Sequence, residues 1–182
     1  MFFYMADVLE SREFPELHEQ LDSLPFARVA IPGEKATVDI CYIEDIEEST
    51  RLGILGIVGT IAPYCIDRMR ASINDAFRGE KNRKVYFLRM KEDVAYSKHT
   101  HPASGSEGFF MPLKGSGIFV RDKERVPYRP GNLIEIPPLC QHGFVRTDED
   151  VVIIAQQSQT IYDPETMVWD YVVDIHSYGT NA

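Results

Sequence analysis

Alternating apolar and polar positions dominate the chain from Lys84 onward. Short runs rich in Val, Ile and Phe are separated by turn residues such as glycine, proline and aspartate. Successive side chains of a strand point to opposite faces, so short alternating runs at this spacing predict a β-sandwich or barrel. The predicted strands are Val85–Met90, Tyr96–His101, Gly108–Leu113, Gly117–Arg121, Asn132–Ile136, Gln141–Arg146 and Val151–Gln157.

A helical spacing of apolar residues marks the start of the chain instead. Residues 5–24 place Leu17, Leu21 and Leu24 on one stripe, and Pro15 suits a first helical turn. We therefore predict an amphipathic helix in this region, with its leucine stripe turned toward the core.

The segments between this helix and the strands carry mixed signals. Ala27–Ile31 and Thr37–Ile43 alternate and are rich in β-branched residues, so they predict a hairpin or two neighbouring strands. Leu52–Ile61 is apolar with several glycines, which leaves a buried strand and a helix both open, whereas Tyr64–Phe77 has helical spacing. Near the end of the chain, Met167–Ile175 is compatible with a strand or a short docking helix.

Together these elements predict a mainly β protein built on a small jelly-roll β-barrel. Residues 81–182 are predicted to form the barrel domain, and residues 1–80 a mixed helical and strand extension that packs on it. A barrel of this size encloses room for one small ligand, so a small-molecule site inside it is expected.

The composition narrows the classes of partner. The 182 residues carry a net charge of −9, with 28 acidic and 19 basic side chains. Nucleic acid and anionic membranes favour a positive surface, so neither is an expected partner, and no run approaches the ~20 apolar residues that span a bilayer. The three cysteines, Cys41, Cys65 and Cys140, show no paired spacing, which predicts reduced thiols and a cytoplasmic location.

Candidate chemistry concentrates in residues 97–144. His99 and His101 share one face of a predicted strand, because residues two apart project side by side. Glu107 follows a short loop, and the run that it opens is predicted to lie antiparallel beside the histidine pair. His142 opens a further strand. Imidazoles and a carboxylate form a ligand set suited to Fe(II), Mn(II), Ni(II) or Zn(II).

These residues and their spacing resemble the two signature motifs of the cupin superfamily. The first motif is His-x-His followed by an acidic residue and a glycine, and the second is a glycine, a proline and a histidine. The matching positions are His99, His101, Glu107 and Gly115, then Gly131, Pro137 and His142. The resemblance extends over Val85–Ser158 and implies a single cupin barrel that binds a divalent metal through the histidines and the glutamate.

The resemblance also implies an enzyme and leaves its class open. Cupins with this ligand set resemble Fe(II)-type dioxygenases, so an Fe(II)-dependent oxygenase is the favoured interpretation. A non-redox lyase, isomerase or decarboxylase is the alternative, since the organisation is also similar to small cupin lyases that cleave dimethylsulfoniopropionate. Those lyases carry a tyrosine just after the motif glutamate, where this chain has Gly108, Phe109 and Phe110. A cupin that binds a small ligand without turnover is the third alternative.

Alternation along the strands predicts the wall of the pocket. Positions on the same face as Glu107 and His142 are apolar with a single cation. They are Phe109, Met111, Leu113, Phe144 and Arg146. Arg146 either ends its strand as a surface residue or, if it faces inward, binds a carboxylate through its planar guanidinium. The inward orientation predicts a small anionic substrate.

Two further expectations concern proton transfer and assembly. Three tyrosines are candidate acid–base phenols: Tyr64, Tyr96 and Tyr128. Tyrosine is more often found in a core or at a pocket rim, and this alternative applies to each of them. Cupins commonly dimerise through strand edges, and the need to cover exposed edges gives a physical reason to expect a homodimer.

Overall fold

The fold consists of short antiparallel strands with helices packed on one side. The computed structural model describes residues 15–92, 94–102 and 108–173, and at Arg146 the backbone alone. The helices are α1 (Pro15–Asp22), α2 (Glu48–Ile61) and α3 (Pro63–Phe77). The strands are β1 (Ala27–Ala30), β2 (Thr37–Tyr42), β3 (Val85–Met90), β4 (His99–Thr100), β5 (Gly108–Lys114), β6 (Gly117–Arg121), β7 (Glu124–Tyr128), β8 (Ile134–Ile136), β9 (His142–Thr147), β10 (Val151–Gln157), β11 (Tyr162–Asp163), β12 (Val168–Trp169) and β13 (Val172–Val173).

Two main sheets contain most of these strands. The larger sheet has six strands in the order β1-β2-β3-β10-β5-β8, and the smaller has five in the order β13-β4-β9-β6-β7. β11 and β12 form a separate two-stranded ribbon. Neighbouring strands pair antiparallel. The predicted mainly β class is confirmed.

The larger sheet separates two apolar cores. One core lies between this sheet and the helices and includes Met111 and Ile154, which are paired across β5 and β10. The other lies between the two sheets and includes Phe110 and Ile153. Because successive strand residues point to opposite faces, a sheet that is covered on both sides needs apolar residues at consecutive positions. This accounts for the unbroken apolar run at the start of β10.

The apolar segment Leu52–Ile61, compatible by sequence with a strand or a helix, is helical and belongs to α2. Its buried residues Ile54, Val58 and Ile61 recur at helical spacing, so they form one stripe against the core. The predicted helix Tyr64–Phe77 is confirmed as α3. Among the helices of the described ranges, none combines the length and the apolar character that a bilayer crossing requires.

The predicted N-terminal helix and hairpin are present in the described residues. α1 buries Leu17 and Leu21, while residues 5–14 of the predicted helix lie outside the described residues. β1 and β2 pair as the predicted hairpin, and β2 continues the larger sheet by pairing with β3. The N-terminal part of the chain thus adds strands to the sheet that the later residues form, and the division into residues 1–80 and 81–182 stays a prediction.

β7 has no counterpart among the sequence predictions. It pairs with β6 along its whole length and forms an edge of the smaller sheet. Pro127 and the exposed residues before it interrupt the apolar alternation, which is typical of an edge strand. The C-terminal segment Met167–Ile175 forms the strands β12 and β13 up to Val173, so the strand alternative is correct for the described part.

Candidate metal centre

Three histidines meet on the inner face of the smaller sheet. His99 on β4 pairs directly with His142 on β9, and His101 follows at the end of β4. Ring centroids lie 4.3 Å apart for His99 and His142, and 5.0 Å apart for each pair that includes His101. The ligand nitrogens all lie within 4.8 Å of one another, and the residues are only 6%, 5% and 4% exposed. The predicted imidazole ligands are therefore brought together in a buried site.

Backbone carbonyl groups determine the tautomer of each ring. The Nδ1 atom of every histidine in the cluster contacts a carbonyl oxygen. These contacts are His99 to Ser97 at 2.9 Å, His142 to Cys140 at 2.9 Å, and His101 to Asp170. A carbonyl oxygen accepts a hydrogen bond and cannot donate one, so Nδ1 carries the proton. The lone pair of a neutral imidazole then resides on Nε2, which is the nitrogen that can bind a metal.

Burial keeps these imidazoles neutral. Loss of hydration, with a smaller contribution from a neighbouring imidazole, lowers the pKa of His142 to about 3. The same causes hold the pKa of His99 well below its ordinary value, and burial also lowers the pKa of His101. A protonated ring would place a charge in an apolar site beside other imidazole rings, and this cost explains why each pKa is lowered. Near neutral pH the cluster offers uncharged nitrogen ligands.

This donor set fits a divalent transition metal. Imidazole nitrogen suits zinc, copper, iron and nickel, with bonds of about 2.0–2.1 Å to zinc. Neighbouring ligands of an octahedral or tetrahedral ion with such bonds lie about 2.8–3.4 Å apart. The ligand nitrogens of the cluster, all within 4.8 Å of one another, are grouped on this scale. Glu107, the predicted carboxylate ligand, lies outside the described residues, and its ligation stays a prediction.

The histidines border a cavity of about 70 Å³ between the two sheets. One water-sized group needs about 10–15 Å³ of such space, so the cavity holds about five to seven of them. The wall is mainly aliphatic and aromatic, which is typical of a site for a small organic ligand. Besides the histidines, its polar groups belong to Tyr86, Tyr96, Gln157, Trp169 and Tyr171.

Phe109 and Phe144, which are predicted to line the pocket, border this cavity, although Phe109 also belongs to the core on the helix side. Met111 and Leu113 lie in that helix-side core, which corrects the prediction that they line the pocket. The reason is the alternation of β5, which directs Phe110 into the space between the sheets. Contact of Phe109 and Phe144 with a substrate stays a prediction.

The strand that follows Glu107 has different partners from those predicted. The sequence predicts that this strand lies antiparallel beside the histidine pair. β5 instead pairs with β10 and β8 in the larger sheet, while β4 pairs with β9 and β13 in the smaller one. The prediction is wrong because a short loop connects strands of one sheet or strands of two facing sheets equally well, and the residue pattern does not distinguish the two.

The other predicted site residues have varied positions. Arg146 lies on β9, and its role as an anchor for the substrate stays a prediction. Tyr96 borders the cavity, and its hydroxyl donates a hydrogen bond to the Thr37 carbonyl at 2.7 Å. Tyr128 is buried in the core between the sheets and Tyr64 lies on α3, so the described cavity wall includes neither of these phenols.

Tyr171 and Glu34 are parts of the site that the sequence analysis does not identify. Tyr171 stacks on His99, with ring centroids 4.0 Å apart and ring planes at 24°. Its hydroxyl donates a hydrogen bond of 2.6 Å to Glu34, 137 positions away in the chain. Neither residue belongs to a motif, and no periodic pattern links residues so far apart.

Gly143 allows a close approach of the backbone beside His142. A Cβ atom at this position would lie 2.8 Å from the carbonyl oxygens of both Tyr96 and Ser97, which is closer than real contacts of this kind. The Ser97 carbonyl is also the acceptor for Nδ1 of His99. The glycine therefore lets β9 lie close enough to the segment before β4 for the two facing histidines to keep their positions.

No family model and no curated protein matches the chain. Solved structures that resemble it include cupin-superfamily proteins. A predicted oxalate decarboxylase from Thermotoga maritima is 14% identical over 75% of this chain and 93% of that chain, with a TM-score of 0.47. A dimethylsulfoniopropionate (DMSP) lyase from Ruegeria pomeroyi is 19% identical over 43% and 39%, with a TM-score of 0.38. A sugar phosphate isomerase of the cupin superfamily from Silicibacter pomeroyi is 24% identical over 49% and 57%, with a TM-score of 0.40.

These likenesses concern the fold. The matched region spans less than two thirds of the lyase and isomerase chains. The activities named for the similar structures differ from one another, and a salicylate 1,2-dioxygenase is also among them. These likenesses therefore assign neither a reaction nor a substrate to this chain.

Proposed function

We propose that this protein is a metal-dependent enzyme of the cupin type that acts on a small organic substrate. The observation that carries the proposal is the cluster of His99, His101 and His142, which is buried and neutral and has Nε2 as its metal-binding nitrogen. Glu107 is proposed as the fourth ligand, because it is the carboxylate that the cupin motif places after the histidine pair. The adjoining cavity supplies a place for the substrate.

The residues of the chain would orient the ligands and shield the reaction. A divalent ion in the cluster would supply Lewis acidity and, as Fe(II), electrons for dioxygen chemistry. The carbonyl groups that accept from Nδ1 hold the imidazole rings in position. The apolar wall excludes bulk water, so that charges in the site interact more strongly than they would in solution.

An Fe(II)-type dioxygenase is the activity that we favour. The mixed set of imidazole and proposed carboxylate ligands suits Fe(II), and the phenylalanine-rich wall suits dioxygen, which is apolar. We expect protein purified without added metal to contain iron and the Fe(II)-loaded protein to consume dioxygen with carboxylate or phenolic substrates. Metal analysis followed by oxygen-electrode measurements tests both expectations, and the Fe(II)-treated His142→Ala variant is the control that lacks a ligand.

A non-redox lyase, isomerase or decarboxylase is the second candidate. Tyr96 and Tyr171 favour it, because both border the cavity and a positioned phenol can transfer a proton while a metal polarises the substrate. Protein loaded with zinc or nickel that turns over a substrate under argon as fast as the iron form does in air would select this class. A cupin that only binds its ligand would retain the metal and show no turnover with any metal.

A small anionic substrate and a homodimer complete the proposal. The chain carries a net charge of −9, and the electric field of this charge repels an anion. Binding of an anionic substrate therefore needs a local cation, and Arg146 is the proposed one. Its planar guanidinium suits a carboxylate group of the substrate. The homodimer is proposed from the exposed strand edges, and sedimentation velocity of the purified protein tests it.

A further inference from the structure

Glu34 links parts of the chain that are distant in sequence. It lies in the turn between β1 and β2, next to Gly33, which has a φ of +80°. Its carboxylate accepts hydrogen bonds from the Ser97 N–H at 2.7 Å, the Ser97 hydroxyl at 3.2 Å and the Tyr171 hydroxyl at 2.6 Å. The ion pairs found among the described residues do not include Glu34. Its charge is instead met by donors on two segments that adjoin the histidine cluster.

Ser97 connects this carboxylate to the edge of His99. Its N–H and hydroxyl donate to Glu34, while its carbonyl oxygen lies 2.9 Å from Nδ1 of His99. If Ser97 moved, its carbonyl would leave the ring, and Nδ1 would no longer be held as the protonated nitrogen. The tautomer of His99, and with it the lone pair on Nε2, therefore depends on where Ser97 is held.

Tyr171 connects the same carboxylate to the face of His99. The two rings stack at 4.0 Å between centroids. The Tyr171 hydroxyl donates to Oε1 of Glu34, the same oxygen that accepts from the Ser97 N–H. The imidazole is thus held at its Nδ1 edge by one residue and on its face by another, and both of these residues are bonded to Glu34.

The turn that carries Glu34 is itself packed against the site. A Cβ atom at Gly33 would come within 3.2 Å of Val173 on β13. Ile31 and Val38, on either side of the turn, border the cavity. The N-terminal hairpin therefore forms part of the cavity wall, which gives the Glu34 carboxylate a defined position.

We propose that Glu34 is a positioning residue of the metal centre, which holds His99 through Ser97 and Tyr171 in the orientation that presents Nε2 to the ion. The inference rests on the proposed metal site. It deepens that proposal by adding a residue of the N-terminal hairpin, which lies outside the histidine motif. Hydrogen-bond partners of metal-bound histidines commonly contribute about 10–100-fold to metal affinity. Glu34 acts through an intervening residue, so we expect an effect near the lower end of that range.

Metal affinity and ring tautomer in Glu34→Gln test this role. Glutamine keeps the size of the side chain and one acceptor oxygen, but the Ser97 hydroxyl loses its acceptor and the bonds from the Ser97 N–H and Tyr171 weaken, because a carboxylate binds a donor more strongly than a neutral amide does. In a titration of the metal-free protein with Co(II) against a competing chelator, we expect Kd to rise about tenfold. Nitrogen-15 NMR of the histidine rings should show His99 changing from the Nδ1–H tautomer to a mixture. A loss of stability alone would not produce that signature.

Glu44→Gln is the matched control. The Glu44 carboxylate also accepts a backbone N–H, that of Arg83 at 2.7 Å, but this contact joins the turn after β2 to the segment before β3. It therefore shares the type of interaction with Glu34 and has none of its links to His99. We expect the Co(II) Kd and the His99 tautomer of Glu44→Gln to equal those of the wild type.

Tyr171→Phe is the second variant, and it decides the matter if Glu34→Gln does not fold. It removes one hydrogen bond to Glu34 and keeps the stacked ring, so a smaller rise in the Co(II) Kd is expected. If Glu34→Gln folds, a wild-type Co(II) Kd and a wild-type His99 tautomer in it overturn the role of Glu34. If it does not fold, the same result in Tyr171→Phe overturns that role. Neither result affects the proposed metal site. If the wild-type protein itself bound no Co(II), the metal site would be overturned together with this inference.

Discussion

His99 and His142 lie directly opposite each other on neighbouring antiparallel strands, with their ring centroids 4.3 Å apart. Opposed residues of such strands have Cβ atoms about 4.5–5.5 Å apart, so backbone pairing alone brings the two imidazoles within reach of one ion. His101, two residues further on, joins them. The cluster therefore depends on the register of β4 against β9, and changes that disturb this register should disturb metal binding.

Replacement of His142 by alanine should remove the metal. The change deletes one imidazole of the buried cluster and leaves the remaining ligands unable to complete the chelate. We expect metal occupancy after dialysis to fall to a small fraction of the wild-type value, measured by plasma emission spectrometry. His18→Ala on α1 is the control and should retain full occupancy. Full occupancy in His142→Ala would refute the assignment of the site.

Replacement of Gly143 by alanine should weaken both the fold and the metal site. The new Cβ would lie 2.8 Å from the Ser97 carbonyl oxygen, which also accepts from Nδ1 of His99. The strand must shift to relieve the contact, and overpacking of this kind costs about 1–3 kcal/mol of unfolding free energy. Urea denaturation and Co(II) titration measure the two effects, and a variant with wild-type stability would show that the backbone relaxes without cost.

Gly56→Ala is the same glycine-to-alanine change at a position where it should stabilise the fold. Gly56 lies inside α2, and a Cβ there would meet no atom within 4 Å. Alanine favours the helix over glycine by about 0.5–1 kcal/mol. We therefore expect the unfolding free energy of Gly56→Ala to rise while its Co(II) affinity stays at the wild-type value, which separates the effect at Gly143 from glycine replacement in general.

Acid should destabilise the metal-free protein before its carboxylates titrate. Burial lowers the pKa of His142 from 6.5 to about 3 in the folded state, so between these values the unfolded chain binds more protons. Stability is therefore lost as the pH falls below 6.5. From about pH 7 to pH 5 the loss from His142 is of the order of 2 kcal/mol. Urea denaturation at the two pH values measures it, and His142→Gln should show a smaller loss. Equal losses in both proteins would contradict the cause.

Arg146→Lys should raise KM for an anionic substrate. Lysine keeps the charge but cannot form the planar two-point contact that guanidinium makes with a carboxylate. Steady-state kinetics with the true substrate measure the change, and Arg125→Lys is the control because Arg125 is an exposed arginine on β7 of the same sheet. Unchanged kinetics in both Arg146→Lys and Arg146→Ala would place Arg146 outside the substrate site.

The sequence could predict those helices and strands in which buried residues recur at a regular spacing of a few positions. Leu17 and Leu21 identify α1, and the helical stripe of Tyr64–Phe77 identifies α3, because the same spacing that defines the helix also defines its buried face. Leu52–Ile61 could not be assigned, because a short apolar run with glycines fits a buried strand and a buried helix equally well. The packing of α2 against the neighbouring elements decides between them.

The sequence by itself determined the β class of the fold and the histidine cluster of His99, His101 and His142, because strand periodicity and motif spacing are local properties. Only the tertiary structure decided which sheet β5 joins, and so whether Phe110 or Met111 faces the cavity. The tertiary structure alone also placed the carbonyl groups that orient the rings, and the contact between the N-terminal hairpin and the C-terminal strands. The hydrogen bond between Tyr171 and Glu34 joins residues that are 137 positions apart, and it forms through the packing of complementary surfaces, which no short-range periodicity encodes.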